Sequence, residues 1–311
     1  MRVLVTGATG FVGGHLVPAL HKAGHAVITT GQAGTADYLV DLIDAAAVDQ
    51  LIEQVRPQAV LHLAGVSSVS ASWRMPADTL QTNIVGTVHL LEAVRTHVPA
   101  ARFLSVGSAE EYGRADGVPP PWDEETPCRP LNPYGVSKLA QGQMVMQYHR
   151  RYGLDALHVR SFNHLGGGQG AGFVATDFAS QIARMECGRI APELRVGDLS
   201  ARRDFLDVRD VVEAYLFLLD RGRTGEVYNV ASGQGTSVQS LLETLLSVSG
   251  LSVTVSVDPD RIRPAEVPES IGSPARLMAD TGWSPRHPLR DTLSWVLSDW
   301  RERVAAETNH E

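Results

Sequence analysis

The sequence predicts an α/β fold with a doubly wound parallel sheet and a smaller carboxyl-terminal domain. The first observation is a short apolar run, a glycine-rich turn and a helical pattern at the start of the chain. The second is that apolar runs and helical patterns then alternate, as the strands and crossover helices of parallel sheets do. The third is a change of character near residue 163, beyond which glycines and prolines are frequent. We therefore predict one domain over residues 1–162 and 203–231, and a second over residues 163–202 and 232–311.

The bulk composition is that of a globular protein long enough to bury a sizeable core. The chain has 311 residues, of which 43% are hydrophobic and 20% charged. A net charge of −8 argues against general binding to nucleic acid or to an anionic membrane. The two cysteines have no paired spacing, and neither an apolar signal core nor a membrane-length apolar run is present. These features predict a soluble cytoplasmic protein without disulfides, and the two near histidines, His21 and His25, have no third ligand for a metal site.

Residues 2–6 are branched and apolar, and the turn that follows carries Gly7, Gly10 and Gly13 before a helical pattern that runs to Ala23. Glycines let a backbone turn tightly and approach a pyrophosphate, which binds the N–H groups and positive end of the next helix. An isolated glycine turn would be weak evidence. Here it follows a strand, opens a helix and precedes a second predicted strand at residues 25–30, which favours a Rossmann-type dinucleotide site. Phe11 and Val12 fall within this site.

The end of the second predicted strand bears on the choice of cofactor. An acid there would bind the ribose of NAD, and an arginine would suit the 2′-phosphate of NADP. Residues 30–32 are Thr, Gly and Gln, so neither charge is present. Because no acid would repel a 2′-phosphate, we predict NADPH or NADH as cofactor, with a slight preference for NADPH.

The strand and helix alternation continues through a short strand ending at Asp41 and Leu42, a helix at 45–55 and a buried strand at 59–63. That strand ends in Leu63, Ala64 and Gly65. The small side chains at this end of the strand would let a cofactor pass close to the backbone. The loop that follows contains serines, which form either a solvated turn or part of a substrate site. The candidates for the substrate site are Ser67 and Ser68.

The next strand, predicted at residues 101–106, leads into a segment with a hydroxyl and two carboxylates. Ser108 can hydrogen-bond a substrate oxygen. Glu110 has two possible roles: it orients a loop by accepting backbone N–H bonds, or it is a general base at a carbon acid. From the residues alone, we favour the orienting role.

Residues 132–138 predict a helix that carries a phenol and an ammonium on one face. Asn132 is a good N-cap and Pro133 suits the first helical position. Tyr134 and Lys138 are four residues apart and are therefore neighbours on the helix. A nearby cation favours the phenolate, so Lys138 is expected to lower the pKa of Tyr134.

The later chain contains a glycine-rich loop at 166–172, and a strand and helix at 203–219 that are expected to return to the main body. Helices near 238–248, 275–281 and 291–304 are expected to cap the cleft between the domains. A further loop carries Arg263 and Glu266, which are suited to a diphosphate and to ribose hydroxyls, although a solvated loop is the simpler interpretation.

The glycine turn, Ser108, Tyr134 and Lys138 in this order resemble the extended short-chain dehydrogenase/reductase family over essentially the whole chain. Segments 108–113, 132–138, 161–169, 203–210 and 263–267 are similar to the branch that acts on GDP-sugars. That branch contains GDP-mannose 4,6-dehydratases and GDP-4-dehydro-6-deoxy-D-mannose reductases, and the similarity is greater to the reductases. One departure is Gly167, which stands where the family usually has proline.

The resemblance implies a catalytic triad of Ser108, Tyr134 and Lys138, and a fourth candidate in Glu110, whose position holds the base in the dehydratases. It implies that the cofactor contacts Gly7, Gly10, Phe11, Val12, Gly13, Asp41, Leu42, Leu63, Ala64, Gly65, Tyr134 and Lys138. It implies that the sugar nucleotide contacts Ser67, Ser68, Ser108, Glu110, Asn163, Phe173, Val174, Arg203, Arg263 and Glu266.

The function expected from the resemblance is NAD(P)H-dependent reduction of a GDP-linked 4-keto-6-deoxyhexose by a homodimer. The short segment at 31–38 contains no arginine, whereas the dehydratases carry a longer, arginine-rich segment there. Three alternatives remain open: a GDP-mannose 4,6-dehydratase, a nucleotide-sugar 4-epimerase and a catalytically idle dinucleotide-binding regulator.

Overall fold

A computed structural model describes residues 1–258 and 267–307, which form three sheets flanked by helices. The strands are β1 (Arg2–Thr6), β2 (Ala26–Gly31), β3 (Tyr38–Leu39), β4 (Ala59–His62), β5 (Arg102–Val106), β6 (Ala156–Ser161), β7 (Asn163–Leu165), β8 (Glu193–Val196), β9 (Arg202–Asp207), β10 (Val227–Val230), β11 (Gly235–Ser237), β12 (Thr254–Val257) and β13 (Glu269–Ser270).

The α-helices are α1 (Phe11–Lys22), α2 (Ala45–Val55), α3 (Val69–Arg74), α4 (Pro76–Leu80), α5 (Gly86–His97), α6 (Pro133–Tyr152), α7 (Val174–Glu186), α8 (Val208–Arg221), α9 (Val238–Ser249), α10 (Ala275–Thr281) and α11 (Leu289–Glu307). A π-helical segment, Gln81–Val85, joins α4 to α5, and 3₁₀ turns lie at Ala109–Glu111 and Ala115–Gly117.

The large sheet has seven parallel strands in the order β10-β6-β5-β4-β1-β2-β3, which confirms the predicted doubly wound fold. The chain winds outward from β1 in one direction through β2 and β3, and in the other through β4, β5 and β6. Ligands of such sheets bind at the carboxyl ends of the strands where the order reverses. In this chain that point lies between β1 and β4.

Alternating side chains of the strands serve two separate cores. Val3 and Val5 of β1 pack towards α1 and α8, while Leu4 between them packs towards α2, α5 and α6. Both faces of the sheet are therefore covered by helices, and β4 is buried along its whole length. This explains why the inner strands are continuous apolar runs rather than alternating ones.

A second region is built on a small sheet and on a core formed by α7, α9 and α11. Its central strand is β9, which pairs with β11, β13 and β7. The strand predicted at 203–207 therefore does not return to the large sheet, because its backbone groups pair in the small one. The helix after it, α8, does return and packs under the large sheet. The division into two domains stays a prediction. Its boundary at residue 203 falls within β9, whereas the chain passes from the small sheet to the large one between β9 and α8.

Of the three late helices expected to cap the cleft, α9 lines it through Val238, α11 packs on α7 and α9, and the expectation is wrong for α10. Residues 275–281 do form a helix, α10, but it packs on α8 and β10. Leu277 and Trp283 are buried in the core of the large sheet, and this burial holds α10 against the outside of the sheet. Within the described ranges, no helix combines the length and apolar character that a membrane span needs.

Candidate active site

A cleft of about 1070 Å³ opens at the carboxyl ends of the large sheet and extends to the small sheet. Its floor is formed by the ends of β1, β2, β4 and β5, and its walls by the starts of α1, α6 and α7. A cleft of this size is large enough for a dinucleotide and a second ligand side by side.

The glycine turn after β1 is shaped by close backbone contacts. Gly7 has a φ of 70°, and a Cβ on it would lie 2.7 Å from the backbone nitrogen of Ala64. A Cβ on Gly13 would overlap the carbonyl oxygen of Ala8. Gly10 caps α1 without any side-chain hydrogen bond, so the first N–H groups of the helix face the cleft. This cradle fits the pyrophosphate of a dinucleotide.

The end of β2 lines the same cleft through Thr30, Gly31 and Gln32. Thr30 Oγ1 is buried and has no hydrogen-bond partner within the structure. The nearest acid in sequence, Asp37, accepts bonds of 2.9 and 2.8 Å from the backbone and side chain of Thr29. These bonds lower the pKa of Asp37 and tie its carboxylate to Thr29, and neither residue is part of the cleft lining. The adenosine end of the cleft therefore presents neutral side chains.

Helix α6 begins where its capping residues predict, and it carries the phenol of Tyr134 and the ammonium of Lys138. The Asn132 side chain accepts a 2.8 Å bond from the backbone N–H of Gly135, and Pro133 occupies the first turn. Tyr134 and Lys138 are both buried and both line the cleft. A Cβ on Gly135 would lie 2.5 Å from the carbonyl oxygen of Glu110, so the helix start packs directly against the 109–111 turn. That packing brings Tyr134 to Ser108.

The expected effect of Lys138 on Tyr134 is not found. The pKa of Tyr134 is raised to about 12: burial is the main cause, Glu110 and Glu111 add to it, and a hydrogen bond with Ser108 opposes them. Burial lowers the pKa of Lys138 to about 8. Its ammonium donates 2.9 Å bonds to Val106 O and Gln141 Oε1 rather than to the phenol. Desolvation is therefore the main reason that Tyr134 stays a neutral phenol, and the two neighbouring acids disfavour the phenolate as well.

The two glutamates after Ser108 divide the roles that the sequence left open at Glu110. Glu111, and not Glu110, accepts the backbone N–H bond: its carboxylate receives the N–H of Ser108 at 2.9 Å and completes a capping box. Glu110 lines the cleft and accepts a 2.8 Å bond from the side-chain amide of Asn132. The prediction that Glu110 accepts backbone N–H bonds is therefore wrong, because Glu111 takes that position and the Glu110 carboxylate lines the cleft.

The opposite wall supplies groups for a second ligand. Arg203, from β9, lines the cleft, and burial lowers its pKa while Glu110 and Asp198 oppose that shift. Its guanidinium donates to Arg202 O at 2.9 Å. Ser68 caps α3 by accepting from the N–H of Ala71 at 3.3 Å. Arg203 therefore offers a half-buried cation to the cleft, which suits an anionic ligand.

Most of the predicted site residues meet in this one cleft. The lining includes Gly7, Gly10, Phe11, Val12, Gly13, Leu42, Leu63, Ala64, Gly65, Ser67, Ser68, Ser108, Glu110, Tyr134, Lys138, Asn163, Phe173, Val174 and Arg203. Asp41 lies just outside it, with a carboxylate oxygen 3.4 Å from Gln32 Nε2. Arg263 and Glu266 lie outside the described residues. The roles assigned to individual side chains remain predictions.

Several residues of the cleft were not predicted from the sequence. Tyr215 of α8 reaches its floor and shares a 2.7 Å hydrogen bond with Ser161, and His164 stacks on Phe11 with ring centroids 6.1 Å apart. Gln169 is buried in the lining with its side-chain oxygen unpartnered. His164 and Gln169 belong to the segment 161–169, whose similarity to the GDP-sugar branch was a signal that could have placed them in the site. The residues next to Tyr215 in the sequence give no such signal.

Comparisons with known proteins agree with this geometry. The family described as GDP-mannose 4,6 dehydratase matches residues 4–295. A GDP-6-deoxy-D-mannose reductase of Pseudomonas aeruginosa is 41% identical over 306 residues, which cover 98% of this chain and 99% of that protein. The solved structure of RMD from P. aeruginosa complexed with NADPH has a TM-score of 0.89 at 40% identity and covers 97% of this chain and 99% of its own. A UDP-glucose 4-epimerase from Thermotoga maritima, solved with UDP-glucose, also has a TM-score of 0.89, at 29% identity over 98% of this chain and 100% of its own.

Proposed function

Because this chain belongs to the GDP-mannose 4,6-dehydratase-like extended short-chain dehydrogenase/reductase family, we propose that it is an NAD(P)H-dependent nucleotide-sugar reductase. The reaction is reduction of the C4 ketone of GDP-4-dehydro-6-deoxy-D-mannose to GDP-D-rhamnose. The observation that carries the proposal is the similarity to a GDP-6-deoxy-D-mannose reductase over almost the whole chain. The meeting of Ser108, Tyr134 and Lys138 in one cleft supports it.

The cofactor end of the proposed site is the glycine cradle and the start of α1. The turn at Gly7 and Gly10 holds the pyrophosphate, and Thr30 and Gln32 lie at the adenosine ribose. When bound, the reduced nicotinamide supplies the hydride for C4. Since no acid faces the cleft at the end of β2, NADPH is accepted at least as well as NADH.

Tyr134 provides the proton that the reduced oxygen needs. With a pKa raised to about 12, its phenol is protonated near neutral pH and can donate to an oxygen that gains charge as hydride is added. Ser108, whose side chain hydrogen-bonds Tyr134, holds the same oxygen. Lys138 carries a positive charge below about pH 8 and stabilises the negative charge that develops nearby.

The sugar nucleotide lies between Arg203 and the serines of the β4 loop. Arg203 binds the diphosphate, and Ser67 and Ser68 face the hexose. Phe173 and Val174, at the start of α7, contact the base. Arg263 and Glu266 are assigned to the diphosphate and ribose on the resemblance alone.

A second candidate function is a GDP-mannose 4,6-dehydratase, and Glu110 is the observation that favours it. A carboxylate that lines the cleft beside Tyr134 is placed to remove a proton from a carbon next to a ketone. A dehydratase recycles its hydride internally, whereas a reductase consumes one reduced cofactor per turnover. This difference makes the two functions separable.

The test follows NADPH absorbance with purified GDP-4-dehydro-6-deoxy-D-mannose, and separately assays GDP-mannose without reductant. We expect one NADPH consumed for each GDP-D-rhamnose formed and negligible keto sugar from GDP-mannose. Glu110→Gln should lower the reductase rate only modestly, because its amide oxygen can still accept from Asn132. Rapid release of keto sugar from GDP-mannose, abolished by Glu110→Gln, would instead identify the dehydratase.

The assembly and location belong to the same proposal. We propose a homodimer, formed through exposed apolar side chains on the α3, α4 and α6 side of the molecule. We also propose a cytoplasmic enzyme, consistent with the free thiols of Cys128 and Cys187.

A further inference from the structure

A chain of buried hydrogen bonds runs beneath the cleft and joins two of the predicted catalytic residues. Its members, in order, are Ser108, Glu111, His158, Ser105, Gln141 and Lys138. Neighbouring polar atoms along it are between 2.8 and 3.2 Å apart. Its four inner side chains are at most 1% exposed, so they are reached by neither ligand nor bulk water. The catalytic set is thus supported from below by residues that cannot touch a substrate.

The donors and acceptors along the chain have only one consistent direction. Lys138 donates to Gln141 Oε1, and Gln141 Nε2 donates to Ser105 Oγ at 2.8 Å. The hydroxyl proton of Ser105 is then left for His158 Nδ1, and His158 Nε2–H donates to Glu111 Oε1 at 3.0 Å. An amide holds its protons too tightly to pass one along. Because Gln141 lies in the middle, the chain conveys position and polarisation, not protons.

Two glycines make room for the imidazole of His158. A Cβ on Gly107 would overlap both His158 Nε2 and Glu111 Oε1, and a Cβ on Gly142 would lie 2.6 Å from His158 Nε2. The buried Glu111 carboxylate also receives Arg160 Nε at 3.1 Å. A buried polar network of this kind is costly unless all its groups are satisfied, and here they are.

We propose that Glu111, His158, Ser105 and Gln141 are positioning residues that hold Ser108 and Lys138 in place, and that Glu111 and Gln141 keep the Lys138 ammonium charged. The proposal rests on the proposed function, because it assumes that Lys138 acts in the cleft on a bound dinucleotide.

The charges around Lys138 agree with this role. Burial lowers the pKa of Lys138 to about 8, and Glu111 is the group that opposes the shift. Burial would raise the pKa of Glu111, but the hydrogen bond from His158 and the charge of the Arg160 guanidinium lower it, so Glu111 is an anion. From β4, His62 faces the ammonium too, and burial together with Lys138 lowers its pKa to about 3, which leaves it neutral.

The other acid near the helix acts elsewhere. Glu110, on the turn next to Glu111, influences Tyr134 and Arg203. Tyr134, on the same helix as Lys138, has its pKa raised to about 12 and is uncharged in the range where Lys138 titrates. Glu111 is therefore the negative charge that the ammonium senses, and Gln141 is its side-chain acceptor.

The experiment changes Gln141 in two opposite ways and measures NADPH affinity by fluorescence, and kcat with the keto sugar, from pH 6 to 10. For the unmodified enzyme, both should fall above about pH 8 as Lys138 loses its proton. Gln141→Glu places a carboxylate at the ammonium and should move this fall about one pH unit upward. Gln141→Met has similar length but no acceptor and should move it about one unit downward.

Thr292→Val is the matched control. Like the Gln141 variants, it removes a buried side-chain hydrogen bond, the 2.8 Å bond to Asp207. Because Thr292 does not line the cleft, the pH at which NADPH affinity and kcat fall should not change. Opposite shifts for the two Gln141 variants support the proposal. Unchanged positions, or shifts in the same direction, would overturn it, and Gln141→Glu alone decides if Gln141→Met does not fold. NADPH binding is measured without substrate, so this test of the positioning residues does not depend on turnover. Absence of turnover with the keto sugar would contradict the proposed function and not the positioning role.

Discussion

Tyr134 and Lys138 depart from free side chains for the same reason, with opposite signs. Burial disfavours the charged form of each, so the pKa of the phenol rises to about 12 and that of the ammonium falls to about 8. Near neutral pH, therefore, the tyrosine keeps its proton and the lysine keeps its positive charge. This is the combination that a reductase needs, because the tyrosine must start as an acid and the lysine as a cation.

At the residue scale we predict that Tyr134→Phe lowers kcat by about 10² to 10⁴ fold while NADPH affinity is retained. The change removes only the proton donor and leaves the helix and cleft intact. The control is Tyr228→Phe, which removes a phenol bonded to Asp280 outside the cleft and should leave kcat unchanged. Stopped-flow measurement of NADPH oxidation gives kcat, and fluorescence titration gives affinity. A Tyr134→Phe enzyme with turnover near that of the unmodified enzyme would remove Tyr134 from its proposed role.

At the scale of elements, the glycine-rich loop at 166–172 is held by α11 and α1. The indole of Trp295 packs on Gly167, and the Arg209 guanidinium lies 4.6 Å from the centre of the Trp295 ring. His15 Nε2 lies 2.9 Å from the carbonyl oxygen of Gly167. These contacts explain the departure from the proline usual in the family, because a pyrrolidine ring at residue 167 would occupy the space of the indole.

We therefore predict that Gly167→Ala lowers the free energy of unfolding by about 1–3 kcal/mol, the usual cost of overpacking. A Cβ there would lie 2.5 Å from the indole nitrogen of Trp295. Gly170→Ala is the matched control in the same loop, since a Cβ on Gly170 meets nothing within 4 Å. Urea unfolding of both variants gives the comparison. Equal stability of the two would show that Trp295 yields freely to the added methyl.

At the scale of the whole molecule, several exposed apolar side chains lie on or beside elements that pack against one another. Trp73 is 60% exposed, and it is joined by Met75, Leu80, Val85 and Val136. They lie on α3, α4, the π-helical segment and α6, except Met75, which joins α3 to α4, and these elements pack against one another. Because exposed apolar surface is a common mark of protein association, we propose that a second copy of the chain binds here, and since α6 also carries Tyr134, association would then support the cleft.

We predict a dimer in light scattering coupled to gel filtration, and predict that Trp73→Glu shifts it towards monomer at micromolar concentration. A buried, unpaired carboxylate at an interface is strongly unfavourable, which is the reason for the shift. Val257→Glu is the control, because Val257 is also exposed, at 62%, but lies on β12 in the second region. A monomeric unmodified enzyme, or a Trp73→Glu enzyme as dimeric as the control, would place the interface elsewhere.

Local patterns in the sequence were sufficient for the large sheet and for the start of α6. The glycine turn, the alternation of apolar runs with helical periods and the Asn132-Pro133 cap are short-range signals, and crossover connections then leave few ways to order parallel strands. Many of the predicted site residues follow from this, because strand ends in such a sheet meet at one edge.

Other features were decided by contacts between residues far apart in the chain. β9 joined the small sheet through pairing with β7, β11 and β13, and α10 was drawn to the large sheet by the burial of Leu277 and Trp283. Charge depends on burial in the same way: the spacing of Tyr134 and Lys138 predicted a lowered phenol pKa, but desolvation raised it. The sequence alone determined that the glycine turn, the strand ends and the start of α6 supply side chains to the cleft, whereas only the tertiary structure brought Tyr215 there and decided how deeply each side chain is buried, and therefore what charge it carries.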